Sequence, residues 1–143
     1  MIFVILGTQK FQMNRLVRLM DNLAGKGNLG MPVVAQIEQS DYEPVNFKFH
    51  RFLDKSEFDE LIAQAELIIT HCGVGSIVTA VKCRKPVIVV PRLAKYGEHV
   101  DDHQSKIASA FAKKGFVLLC NDGDDMEKLI AISKDMVVPE YIS

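Results

Sequence analysis

Strand-length apolar runs alternate with helix-patterned segments along almost the whole chain, and that alternation leaves few folds open to it. Ile2–Leu6 reads as a buried first strand. Pro32–Gln36 and Asn46–His50 are the second and third, Leu67–Thr70 the fourth, Val87–Val90 the fifth and Phe116–Cys120 the sixth. Between the first two lies a helix near Met13–Ala24, with Leu16, Leu19, Met20 and Leu23 at three- and four-residue spacings, closed by the Gly25–Gly30 turn region. Ser56 is placed to cap a helix running to about Ala65, with Phe58, Leu61 and Ile62 on its apolar side. Ile77–Cys83, Asp102–Lys113 and Asp124–Ser133 are the remaining helices. Strands alternating with helices predict an α/β, Rossmann-like three-layer sandwich around a mostly parallel sheet of about six strands. The fifth strand is β-branched throughout, as burial on both faces requires.

At 143 residues the chain suits one domain, 1–143, with one substantial core. A net charge of −1 gives no general attraction to nucleic acid or to an anionic membrane. The longest apolar runs fall far short of the ~20 residues of a membrane span. Met1 leads straight into a strand, with no basic leader, so the expected location is cytoplasmic. Cys72, Cys83 and Cys120 are widely spaced and odd in number, which fits reduced, mostly buried thiols.

In a sheet of this kind ligands bind beyond the carboxyl ends of the strands, and the motifs collect there. His71-Cys72-Gly73-Val74-Gly75-Ser76 joins the fourth strand to a helix. Its glycines let the backbone approach a ligand, and amides at a helix start with the Ser76 hydroxyl suit a diphosphate. A plain tight turn accounts for the same glycines equally well. Gly97-Glu98-His99-Val100-Asp101-Asp102-His103-Gln104 follows the fifth strand and gathers the carboxylate, imidazole and amide groups that read sugar hydroxyls. The bland alternative is a solvated loop with Asp101 or Asp102 capping the next helix. His99 and His103 have the i, i+4 spacing of a metal pair, but Val100 stands where the HExxH motif has Glu. Gly7-Thr8-Gln9 after the first strand reads, by itself, as a simple turn. Gln36, with Asp41 and Tyr42 beyond it, is a polar strand end of ambiguous meaning.

In this order the motifs resemble the C-terminal domain of glycosyltransferase family 28. The residues that carry the likeness are Leu6-Gly7-Thr8, Gln36, Ile69–Ser76, Lys85–Arg92 and His99–Gln104. It spans roughly residues 1–120 and looks most like the stand-alone subunits of two-part transferases. These are the eukaryotic one acting on dolichol and, from Pro91-Arg92 and Gly97-Glu98-His99, the bacterial exopolysaccharide and capsule type. The resemblance implies the C-terminal half of a GT-B fold, with Gly73, Gly75 and Ser76 holding a UDP diphosphate. Asp102, His103 and Gln104 would face the diphosphate and the donor sugar, and Thr8 the partner domain. Beside the resemblance, orienting the loop is the plain reading of His71, and Arg92 is a basic residue near enough to help meet the diphosphate charge; Glu98 and His99 complete the substrate-binding set. Two-domain members carry a ribose-binding Glu where this chain has Thr79, and the eukaryotic subunit has Asn in place of Asp102.

The expected function is inverting transfer of a hexose, galactose or N-acetylglucosamine, from a UDP-sugar to a lipid-linked saccharide acceptor. The expected partner is a membrane-anchored, acceptor-binding subunit that supplies the catalytic base and keeps this chain peripheral at the inner face of the membrane. No cofactor and no metal are called for. Rival readings are a non-catalytic regulatory nucleotide-sugar-binding module and half of an epimerase. The apolar tail Met136–Ile142 is read as a docking surface for the partner; packing back on the domain, or a homodimer when the chain is alone, are its alternatives.

Overall fold

A computed structural model describes residues 1–6, 14–71, 74–91, 102–121 and 123–141. The elements run β1 (Ile2–Ile5), α1 (Asn14–Lys26), β2 (Val33–Gln36), β3 (Lys48–His50), α2 (Lys55–Gln64), β4 (Leu67–His71), α3 (Val74–Lys82), β5 (Val87–Val90), α4 (Asp102–Lys113), β6 (Leu118–Leu119) and α5 (Met126–Ser133). The strands form one sheet in the order β3-β2-β1-β4-β5-β6, and every pair is parallel. The expected sandwich is therefore present, and all-parallel rather than mostly so.

Alternation along each central strand builds two cores. Ile2, Val4, Ile69, Ile88 and Val90 pack with Leu16, Val17 and Met20 of α1 and with Met126 and Ile130 of α5. Phe3, Ile5, Ile68, Val87 and Val89 pack on the other side with Ile62 of α2, Ile77, Ala80 and Val81 of α3 and Ala108 of α4. Successive strand residues point to opposite faces, so strands buried on both must be apolar at every position. β1 and β5 are buried throughout.

Several local expectations need correction. Asp54, not Ser56, caps α2: its carboxylate accepts from the Glu57 amide at 2.8 Å. Asp125 caps α5 in the same way, so that helix begins at Met126. β6 is only Leu118–Leu119. Cys83 is exposed while Cys120 is buried; Cys72 lies outside the described residues. The tail folds back. Met136, Val138 and Tyr141 join the core on the α3–α4 side, and the Tyr141 ring sits 5.8 Å from that of Phe116. Its packing is intramolecular, with Val137 left outside.

The link from β2 to β3 contains no helix, which is unusual for parallel neighbours. A buried carboxylate takes the helix's place. Asp21 of α1, 2% exposed, accepts from the Tyr42 hydroxyl at 2.6 Å and from the amides of Asn46 and Val45 at 2.8 and 3.1 Å. Burial pushes the Asp21 pKa up, but these donors together outweigh it and hold the carboxyl below its ordinary value.

Candidate functional site

The order β3-β2-β1-β4-β5-β6 reverses direction between β1 and β4. Chain connections diverge there to opposite faces, and sheets of this kind hold ligands beyond the carboxyl ends of the two strands at such a point. The edge is stitched across all three central strands. The Thr70 hydroxyl donates to Ile5 O at 3.0 Å, and the Leu6 amide to Gln36 O at 3.0 Å. Arg15 at the start of α1 donates to Pro91 O, just past β5, at 3.0 Å.

The glycine motif ends inside a helix. α3 begins at Val74, three residues earlier than its apolar pattern suggests. Gly75 and Ser76 therefore stand in its first turn, where helix amides lack intrahelical partners and the dipole favours an anion. Gly75 is exposed, and a Cβ built on it meets nothing within 4 Å among the described residues. Its φ is not left-handed, so neither packing nor backbone geometry demands glycine here. Ser76 is half-buried. Thr79, one turn on, donates its hydroxyl to Gly75 O at 2.9 Å. Its proton is thus engaged, and toward a ribose it is left an acceptor.

His71 is not in the loop. It is the last residue of β4 and only 3% exposed. By strand parity it shares the face of Ile69, toward α1 and α5, whereas α3 lies on the other face. The structure thus joins Gly75, Ser76 and Thr79 on one helix, with His71 at the end of the strand before it. Asp102, His103 and Gln104 form the first turn of α4, a second helix start at the same edge. Gly7, Thr8, Gly73, Arg92, Glu98 and His99 lie outside the described residues, as does the capping expectation for Asp101.

Gln36 is one of the edge's buried supports. Its amide donates to Glu38 Oε1 at 3.1 Å and its oxygen accepts from the Leu53 amide at 3.2 Å. Glu38, 4% exposed, holds a left-handed φ of 49°, a strained conformation for a side-chain-bearing residue. The Arg51 guanidinium donates to Glu38 O and Ser40 O at 3.0 and 2.9 Å. Phe52, just past β3, is 64% exposed. Phe52 and Arg15 belong to no motif in the sequence, and Thr70 enters only within the Ile69–Ser76 run. A Phe followed by Leu reads as core, a Thr ending an apolar strand as filler, and an Arg in a helix as solvated.

An open hollow of about 490 Å³ lies at the other end of the sheet, lined by Met31, Glu66, Pro86 and Lys134 among others. It contains none of the residues above and faces the amino ends of the strands, the wrong edge for a ligand in a parallel sheet.

Residues 1–137 match the glycosyltransferase family 28 C-terminal domain. The chain belongs to this family. Among family 28 relatives, a UDP-N-acetylglucosamine transferase subunit ALG13 of Cryptococcus neoformans is 34% identical over 76 residues, covering 52% of this chain and 36% of that protein. A UDP-N-acetylglucosamine–N-acetylmuramyl-(pentapeptide) pyrophosphoryl-undecaprenol N-acetylglucosamine transferase of Opitutus terrae is 34% identical over 73 residues, 51% of this chain and 18% of its own length. The chain thus spans about a third or less of these relatives. In fold it is similar to an NMR solution structure of ALG13, with a TM-score of 0.63 at 20% identity, covering 99% of this chain and 89% of that one. The family 28 likeness and the α/β expectation agree with these findings. The bacterial exopolysaccharide and capsule type has no support among them.

Proposed function

We propose that this chain is the UDP-sugar-binding component of a glycosyltransferase that moves N-acetylglucosamine from its UDP donor to a lipid-linked saccharide. One observation carries the reading. The glycine motif runs directly into the first turn of α3 at the switch point of an all-parallel sheet, with Gly75 kept open and Ser76 beside it. Helix-start amides, an oxygen donor and an absent Cβ are what a diphosphate needs. The names of the relatives supply the donor, and both name N-acetylglucosamine transfer. Galactose is the competing donor.

Departure of UDP leaves negative charge on the diphosphate, and preorganised amides at the starts of α3 and α4 oppose it. Gly73, Gly75 and Ser76 hold the diphosphate. Asp102, His103 and Gln104, with Glu98, His99 and Arg92, are assigned to binding the sugar and phosphates, and Gly7 and Thr8 to the loop that meets the partner domain. Thr79 accepts from a ribose hydroxyl. The acceptor site and its base belong to a membrane-anchored partner subunit, which holds this chain at the cytoplasmic side. Among the described residues no helix is long and apolar enough to cross a membrane.

Calorimetry of the isolated chain with UDP, UDP-N-acetylglucosamine and UDP-galactose tests the donor site. Saturable UDP binding, with the N-acetylglucosamine donor preferred, is expected. No heat with any of the three defeats the reading, and preference for UDP-galactose replaces the sugar. Co-expression with the partner, assayed on a lipid-linked acceptor, then separates a catalytic subunit from a regulatory module.

A further inference from the structure

Pro91 has no amide hydrogen, so its carbonyl is the only backbone group by which the exit of β5 can be tied at that position. Arg15 ties it, at 3.0 Å and across 76 positions of sequence. Arg15 belongs to α1, which follows β1, and in the sheet β4 lies between β1 and β5. Two strand spacings, about 10 Å, separate β1 from β5. The tie therefore links the two sides of β4, the strand that leads into the glycine motif. It runs on the face of α1 and α5, the face opposite α3 and the one to which parity assigns His71. Its charge is felt there: burial and Asp124 raise the Cys120 thiol pKa, and Arg15 opposes them.

We infer that Arg15 is a positioning residue for the diphosphate end of the donor site, fixing the exit of β5 against the start of α1 and so the strand ends that flank the glycine motif. The inference rests on the donor-site reading above. Thr70 and the Leu6 amide secure β4 and β2 to β1, and Arg15 extends the same stitching to β5. A guanidinium suits the task because its planar, permanently charged fork is pre-organised and more weakly hydrated than an ammonium.

The test compares Arg15→Ala, Arg15→Lys and wild type as full chains. UDP is titrated by calorimetry, and amide exchange is followed by mass spectrometry over peptides covering residues 87–101. Arg15→Ala is expected to exchange faster in those peptides, with the rest of the sheet unchanged. UDP affinity falls by up to about tenfold, because only part of a charged hydrogen bond's worth passes to a ligand it does not touch. Arg15→Lys, which keeps a charged donor, recovers most of that loss. Arg15→Gln carries the same reading if Arg15→Ala does not fold. Equal UDP affinity in wild type and the neutral variant overturns the inference. So does lost affinity with unchanged exchange over 87–101. A wild type that takes up no UDP defeats the donor-site reading first and this one with it. A wild type that binds, beside a neutral variant that binds equally, defeats only the role of Arg15.

Discussion

Two crossovers of the sheet are built by opposite means. Between β2 and β3 the chain has no helix, and a single buried carboxylate, Asp21, collects a hydroxyl and two amides to hold the link in place. Between β4 and β5 the link is α3, whose first turn holds a half-buried Ser76 and Gly75, beside which an added Cβ meets nothing among the described residues. The first arrangement engages its polar groups internally and so contributes to stability. In the second, the helix start and Gly75 stand at the switch point of the sheet, where the proposed donor would meet them.

The largest effect expected from breaking this contrast is in the first crossover. Asp21→Ala removes the acceptor shared by the Val45 and Asn46 amides and the Tyr42 hydroxyl, and should cost about 3 kcal/mol, the upper end for lost hydrogen bonds to a charged group. Urea unfolding measures it, and UDP affinity of the folded protein should not change. In the second crossover the order inverts. Ser76→Ala should remove roughly 1.5–3 kcal/mol of UDP binding at most, a tenfold to hundredfold change by calorimetry, with the unfolding midpoint unmoved. Gly75→Ala sharpens the point further. It should leave stability equal or raise it by about 0.5 kcal/mol through helix propensity, while weakening UDP. A variant destabilised instead would mean that Gly75 serves the fold.

The smallest effect concerns pH. The Asp21 pKa is lowered in the folded chain, so its stabilisation is fully present above the ordinary carboxylate value of 3.8 and is lost as pH falls through the folded value. Tyr42→Phe removes one of the donors responsible and should move that acid loss to higher pH, read from unfolding curves below pH 5 or so. An acid limb unchanged by the substitution would remove Tyr42 from the account.

The sequence carried the sheet and the helix faces because their causes are local. Val87–Val90 can only be a doubly buried strand, and Leu16, Met20 and Leu23 repeat at helical spacing. What it did not carry depends on partners far along the chain. Asp21, between Met20 and Asn22, reads as a solvated helix acid, and its donors lie 21–25 residues on. Arg15 finds its acceptor 76 residues away. The apolar pattern ends the fourth strand at Thr70, yet pairing with Val90 extends β4 through His71. The early start of α3 was hidden because Val74-Gly75-Ser76 has no helical periodicity of its own. Of the candidate site, the glycine motif was legible and the stitching beneath it was not.

The helix-free crossover also bears on how the molecule fails. β3 is a three-residue edge strand, and Asp21 is a principal anchor of the chain that delivers it. If protonation of Asp21 releases that segment, β2 becomes the new border of the sheet. Val33 and Ala35 would then stand beside unpaired backbone groups on a flat apolar strand, a template for another chain. Acid would in that case expose a template for aggregation before it unfolds the core.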